Sequence, residues 1–362
     1  MKVEGLVAVI TGGGSGMGQE MVVQLAEAGC HVAFCDVSEA SIEETIERAN
    51  AAKSQGVRVM GRKVDVTDRA ALQRFAKEIL AENENRINLL FANAGIFAHG
   101  PLLHGDDASE EHIAKKEREW DNCFDVDYFG VLHSIRVFLP HIVRQDKGYV
   151  VVTCSVNSYW TWPEQGCYTV SKFAVRGLTE ALLTETYAKA PHVKVACVHP
   201  GFIRTNIVRN SEYGKDASGK DTRVASDFDK IPGMPASEAA AWILDGVAND
   251  QTRIIVGYDA ILWDKMARIS PHGIYSVYRA LSREGVTEWD PVRPDEKAAQ
   301  IEKVTLLGWL RILANGGLFI LAFTLPSGLM RSLTKSTGAS PRQLGVLLIA
   351  LVALIARRKS LR

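Results

Sequence analysis

Tyr168 and Lys172 stand four residues apart, and their types and spacing suit a proton-transfer reaction. Positions i and i+4 share one face of a helix, so an ammonium would stand beside a phenol. A tyrosine normally ionises near ~10; a neighbouring positive charge lowers that value and makes phenolate available as a base. Ser155 lies 13 residues before Tyr168, just after the apolar run Gly148–Thr153, where its hydroxyl can hold a substrate oxygen beside the phenol. Alone, a Y-x-x-x-K pair is mostly coincidence on a helix surface. Its meaning depends on what the rest of the chain supplies.

The second constellation is a glycine loop, Thr11-Gly12-Gly13-Gly14-Ser15-Gly16-Met17-Gly18. It reads T-G-x-x-x-G-x-G rather than G-x-G-x-x-G, and it joins the apolar run Leu6–Ile10 to the helical pattern Gln19–Ala28. Glycines permit a tight turn and close approach of a pyrophosphate to the backbone, and the helix N-terminus adds N–H groups and its positive dipole end. Asp36 ends the next apolar run, 18 residues after Gly18. A carboxylate there accepts hydrogen bonds from an adenosine ribose and repels a 2′-phosphate. No Arg or Lys lies between Gly12 and Glu47 to welcome that phosphate. The expected cofactor is NAD, with NADP less favoured.

Such groups need a scaffold, and the hydropathy pattern describes one. The apolar runs Leu6–Ile10, Val32–Cys35, Val57–Val66, Ile87–Ala92, Gly148–Thr153 and Val193–His199 alternate with helical periodicity at Ser41–Ala52, Arg69–Glu82, Glu110–Gln145 and Tyr168–Ala188. Continuous apolar strands alternating with helices predict an α/β fold of the doubly wound, Rossmann type, with a parallel sheet covered on both faces. Residues 206–235 are polar and read as a loop before the helix Ser237–Val247 and a last strand at Ile254–Gly257; from 258 onward the rhythm is lost. The expected division is a dinucleotide-binding and catalytic domain over 1–260, a helical linker over 261–303 and a hydrophobic, basic extension over 304–362.

With these motifs in place, the sequence resembles the short-chain dehydrogenase/reductase family over residues 3–260. Further segments match: Asp65 and Val66, where the family contacts adenine; Asn93-Ala94-Gly95, the turn that closes over the cofactor; and Pro200-Gly201 followed by Thr205, the segment that holds the nicotinamide carboxamide. The resemblance implies that Tyr168 is the general acid/base, that Lys172 binds the nicotinamide ribose and lowers the tyrosine pKa, and that Ser155 positions the substrate. It implies an oxidoreductase interconverting a secondary alcohol and a ketone, and a homodimer formed through the long helices near 110–145 and 168–188. One position departs from the pattern. Asp127, in Val126-Asp127-Tyr128-Phe129-Gly130, stands where the family usually has asparagine, and an ionised carboxylate cannot donate a hydrogen bond. That puts a water relay to Lys172 in doubt and keeps a non-catalytic dinucleotide-binding regulator open; an NADP-linked carbonyl reductase of the same fold is the other alternative.

Composition bounds the remaining classes. With 47% hydrophobic and 23% charged residues in 362, the chain is neither disordered throughout, nor collagen-like, nor a polytopic membrane protein. Basic and acidic residues balance at 42 each, so no overall bias points to nucleic acid. The balance is not local: residues 1–303 hold 34 basic against 42 acidic side chains, whereas 304–362 hold eight basic and no acidic ones. The extension contains 19 uncharged residues at 312–330 and 14 at 343–356. Such a tail predicts contact with an anionic membrane surface, through partial insertion or a re-entrant hairpin, on the cytosolic face. The alternative is a helical cap. The six cysteines lie in apolar runs without a C-x-x-C pair, and His99, His104 and His112 lack ligand spacing, so buried thiols and no metal site are expected. Tyr159, Trp160 and Trp162 follow Ser155 and predict either an apolar substrate cleft or packing beneath the 206–235 loop.

Overall fold

The computed structural model describes residues 2–98, 100–102, 108–161, 165–211, 233–269 and 275. Six strands follow the apolar runs: β1 (Val7–Thr11), β2 (His31–Asp36), β3 (Val59–Lys63), β4 (Leu89–Ala92), β5 (Gly148–Thr153) and β6 (Val193–Pro200). Two short strands, β7 (Ile203–Arg204) and β8 (Met234–Pro235), pair with each other, and β9 (Arg253–Val256) is the last. The helices are α1 (Gly16–Glu27), α2 (Glu39–Ala52), α3 (Arg69–Glu82), α4 (Glu110–Phe124), α5 (Val131–Ile142), α6 (Gly166–Lys189), α7 (Ala236–Ala248) and α8 (Tyr258–Ile269). Side chains cap several of them: Ser38, Asp68 and Ser109 accept from the amides of Ser41, Ala71 and His112, satisfying donors that a helix start leaves unpaired.

The main sheet has seven strands in the order β3-β2-β1-β4-β5-β6-β9, all parallel. Every residue of β1, β4 and β5 is buried, which explains the unbroken apolar runs. One face packs Leu72, Phe75, Phe138 and Ile142 of α3 and α5 against Val150 and Val152. The other packs Met21, Leu25 and Ile243 of α1 and α7 against Ile10, Phe34 and Leu89. Chain direction across the sheet reverses between β1 and β4, and in doubly wound sheets the crevice beyond the strand ends at that point takes the ligand.

The single helix expected over Glu110–Gln145 is two helices separated by a π-helical turn, Asp125–Gly130. The turn remains helical, so the apolar periodicity runs through it unbroken, but it widens the coil where Asp127 faces the protein. The chain divides into compact units Met1–Lys265 and Met266–Arg362. The expected linker and extension lie almost wholly outside the described residues, as do 212–232 of the expected loop, together with Trp162, His99 and His104. Among the described residues no helix is long and apolar enough to cross a membrane.

Candidate active site

Three strand ends converge on the expected site. Thr11, closing β1, accepts through its hydroxyl from the amides of Asn93 and Ala94, both at 3.1 Å. The Asn93 side chain donates to the carbonyls of Thr11 and Gly12 at 3.3 Å, and its oxygen accepts from Thr153 at 3.1 Å. Thus Asn93 ties the glycine loop to β5, and Ser155 follows two residues later. The loop tolerates no side chain at its closest approaches. A Cβ on Gly18 would sit 1.9 Å from the Gly12 carbonyl oxygen, and one on Gly12, held at φ +66°, would sit 2.8 Å from Ala94 Cα. Ser15 stands at the N-cap of α1 without a capping hydrogen bond from its hydroxyl. A helix start whose first amides are left open in this way suits an anion.

Asp36 reaches the glycine loop. Its two carboxylate oxygens accept from the amides of Gly14 at 2.9 Å and Ser38 at 3.2 Å, which leaves lone pairs for ribose hydroxyls. Asp65 accepts from Thr67, and the Val66 carbonyl meets His133 Nδ1 at 3.3 Å. Thr205 lies over Gly16, and Met17 continues the same helix start. Gly201, after Pro200, has no room for a Cβ beside the Asp259 carboxylate, which accepts from the Phe202 amide at 2.7 Å. Sequence reasoning missed Asp259, because no motif links it to the Pro200 segment. These residues fit a dinucleotide: glycines where a Cβ would collide, a helix N-terminus, and a carboxylate beside the loop.

The side chains expected to carry the reaction come from just beyond β5, from the π-helical turn and from α6. Lys172 Nζ lies 3.1 Å from Asp127 Oδ2 and 5.4 Å from the Tyr168 ring centroid. Both members of the pair are buried, with side-chain exposures of 5% and 0%. Asp127 also accepts from the Ile96 amide at 2.8 Å and the Ser171 hydroxyl at 3.4 Å, so it joins the turn after Asn93-Ala94-Gly95 to α6. A Cβ on Gly95 would stand 3.2 Å from both Asp127 and Lys172, so the absence of a side chain lets that turn lie against the pair. Burial pushes the Asp127 carboxyl above the usual range, against the pull of Lys172. Burial would depress the Lys172 ammonium, but Asp127 and Tyr168 outweigh it and hold the group charged.

Tyr168 departs from expectation. Its pKa is raised, not lowered: burial is the largest cause and Asp127 adds to it, while Lys172 and a hydrogen bond with Ser155 pull the other way. The lysine acts in the expected sense; the apolar surroundings win, and Asp127 offsets part of the lysine's charge. Two of the three aromatics after Ser155 are also engaged inside the protein. Tyr159 stacks on His199 at 4.6 Å and bonds Arg253, and Trp160 stacks on Trp263 at 4.4 Å. Their partners come from β6, β9 and α8, which local sequence could not reveal.

Comparison with known proteins agrees with this architecture. The short chain dehydrogenase family profile matches residues 6–216. A Mycobacterium tuberculosis protein bearing the name oxidoreductase SadH is 35% identical over 291 residues, covering 80% of this chain and 98% of that protein. The structure of a short chain dehydrogenase/reductase from Burkholderia phymatum in complex with NAD is 27% identical with a TM-score of 0.63, over 82% of this chain and 99% of that one. A short chain dehydrogenase from Burkholderia cenocepacia in complex with NADP is 22% identical with a TM-score of 0.59, over 76% and 98%, and shares the fold. The chain belongs to the short-chain dehydrogenase/reductase family and is an NAD(P)-dependent oxidoreductase.

Proposed function

We propose that the protein interconverts a secondary alcohol and a ketone, with NAD preferred over NADP and Ser155, Tyr168 and Lys172 as the catalytic set. The observation that carries this reading is the meeting of Tyr168 and charged Lys172 with Ser155 at the strand ends that also bear the glycine loop. The dinucleotide, when bound, exchanges hydride with the carbon of the carbinol or carbonyl. In the reductive direction Ser155 holds the carbonyl oxygen and Tyr168 Oη gives it a proton; in the oxidative direction the phenolate takes the hydroxyl proton. Lys172 binds the ribose and stabilises the phenolate. Asp127 fixes Lys172 directly, so this chain does not depend on an asparagine-held water at that point.

Asp36 supports NAD, because a carboxylate beside the loop repels a 2′-phosphate. The charge of residues 304–362 supports a tail held at the cytosolic membrane face, and the resemblance supports a homodimer. The test is a panel of secondary alcohols assayed with NAD in detergent, together with fluorescence titrations of NADH and NADPH. Turnover that is lost in Tyr168→Phe, with NADH bound more tightly than NADPH, is the expected result. Undiminished turnover in Tyr168→Phe would overturn the catalytic assignment, and tighter NADPH binding would overturn the role of Asp36.

A further inference from the structure

A second cluster of reactive side chains lies immediately behind Ser155. The parallel register sets Val152 opposite Cys197 and Thr153 opposite Val198, which brings Cys154 level with His199. Side chains two apart share a face of a strand, so Cys154, Cys197 and His199 all project to the same side. Their two sulfur atoms and a ring nitrogen lie within 4.8 Å of one another, and all three residues are buried. We propose that Cys154, Cys197 and His199 form a binding site for one thiophilic d10 cation, of the copper(I) and zinc kind, directly behind the substrate-positioning serine.

The donor set selects that chemistry. Two thiolates and an imidazole, without a carboxylate, suit soft and borderline cations and not calcium or magnesium. Around one ion, metal–sulfur bonds of about 2.3 Å and a metal–nitrogen bond of about 2.0 Å place three donors about 4 Å apart. The cluster needs to contract by less than about 1 Å to meet that spacing. Three coordination completes a copper(I) site, whereas zinc needs a fourth donor. Polar groups beside the cluster include the Ser158 hydroxyl and the Ser155 carbonyl, 3.1 and 3.3 Å from His199 Nδ1, and the Lys172 carbonyl, 3.1 Å from Cys154 Sγ. On binding a divalent cation, whichever of the two cysteines is still a thiol gives its proton to solvent and no electrons move.

Occupancy would reach the reactive groups through hydrogen bonds that exist now. The Cys154 thiol donates to the Lys172 carbonyl at 3.1 Å. Ser158 spends its hydroxyl hydrogen on the Ser155 carbonyl at 2.6 Å, so His199 Nδ1 is the donor in its contacts with Ser158 and Ser155. Metal binding removes the thiol hydrogen and, with Nδ1 as the ligand atom, moves the imidazole proton to the other nitrogen. Lys172 and Ser155 each lose a backbone partner, so the cation inhibits. This inhibitory consequence rests on the proposed oxidoreductase chemistry; the occupancy does not.

The experiment titrates the full-length, reduced protein with Cd²⁺ and reads the ultraviolet thiolate-to-cadmium charge-transfer band. The expected result is a band that saturates at one Cd²⁺ per chain, is displaced by Zn²⁺, and falls to background in Cys197→Ala. Cys123 and Cys167 form a separate pair of buried thiols, so Cys123→Ala is expected to keep the band. Absence of the band in the wild type, or its persistence in Cys197→Ala, overturns the proposal. Should Cys197→Ala fail to fold, proton release from the wild type decides. Calorimetry in buffers of different ionisation enthalpy is expected to show proton release on Cd²⁺ binding, and binding without any release overturns the site. Inhibition is read separately, as turnover lost with Cd²⁺ and recovered with a chelator.

Discussion

Asp127→Asn changes one charge in the centre of the reactive cluster and leaves its shape almost intact. Lys172 Nζ is 3.1 Å from the Asp127 carboxylate and 5.4 Å from the Tyr168 ring centroid. The carboxylate is therefore within about 8.5 Å of the ring, where a unit charge at an effective dielectric of about 20 is worth about 2 kcal/mol, or about 1.4 pH units. Its negative charge opposes phenolate formation, in the direction that Tyr168 is shifted. The sign follows. Alcohol oxidation requires phenolate and is lost as pH falls through the Tyr168 pKa, so removing the carboxylate lowers that pKa and moves the limb to lower pH. Asp127→Asn should shift the rising limb of kcat for alcohol oxidation down by about one to two pH units, with turnover at neutral pH preserved or raised. The amide oxygen still accepts from Lys172 and the Ile96 amide, so the fold should persist, which a thermal melt checks. The assay is the pH profile of kcat with saturating NAD. An unmoved limb would refute the electrostatic argument. A large loss at every pH would show that the carboxylate takes part in the proton path.

Three other outcomes can be measured. Gly18→Ala forces a methyl group into the Gly12 carbonyl and should weaken NADH binding about 100-fold or more, read by fluorescence titration. Asp36→Ala removes the carboxylate bonded to the Gly14 amide and should raise the NADPH-to-NADH affinity ratio about 10-fold, read by paired titrations. Truncation near residue 300 should leave a chain that binds NAD without pelleting with membranes, whereas the full chain should pellet and resist salt washing, since apolar burial is not screened. Full-length protein recovered entirely without detergent would contradict the membrane role of the tail.

The strand ends were the most legible part of this molecule. Thr11, Asn93 and Ser155 each follow a continuous apolar run, and a parallel sheet with both faces covered forces such runs to end near one rim. The glycine loop was equally plain, because its spacing is a demand of the backbone itself. What stayed hidden depends on contacts between distant segments. Asp127 could be seen as a departure, but its bond to Lys172 rests on a wide helical turn that leaves the apolar periodicity intact. Asp259 is 57 residues from the amide that it holds. Tyr159 and Trp160 fitted a substrate cleft and internal packing equally well in the sequence, and the partners that β9 and α8 supply lie far along the chain. The grouping of Cys154 with His199 needs the β5–β6 register, which no local pattern contains.

The π-helical turn at Asp125–Gly130 also bears on how this chain can change over generations. A widened coil is a local irregularity, and such turns gather where function requires them. Deleting a single residue there would let α4 and α5 fuse into one uniform rod. The flanking helices would keep their facing, because a π-helical turn only spends an extra residue on one turn, but the wider coil that sets Asp127 against Lys172 and the Ile96 amide would be gone. The shortened chain would gain helical regularity and lose its lysine anchor. A path of mutation that leads toward greater regularity at this segment thus runs against the anchoring of Lys172.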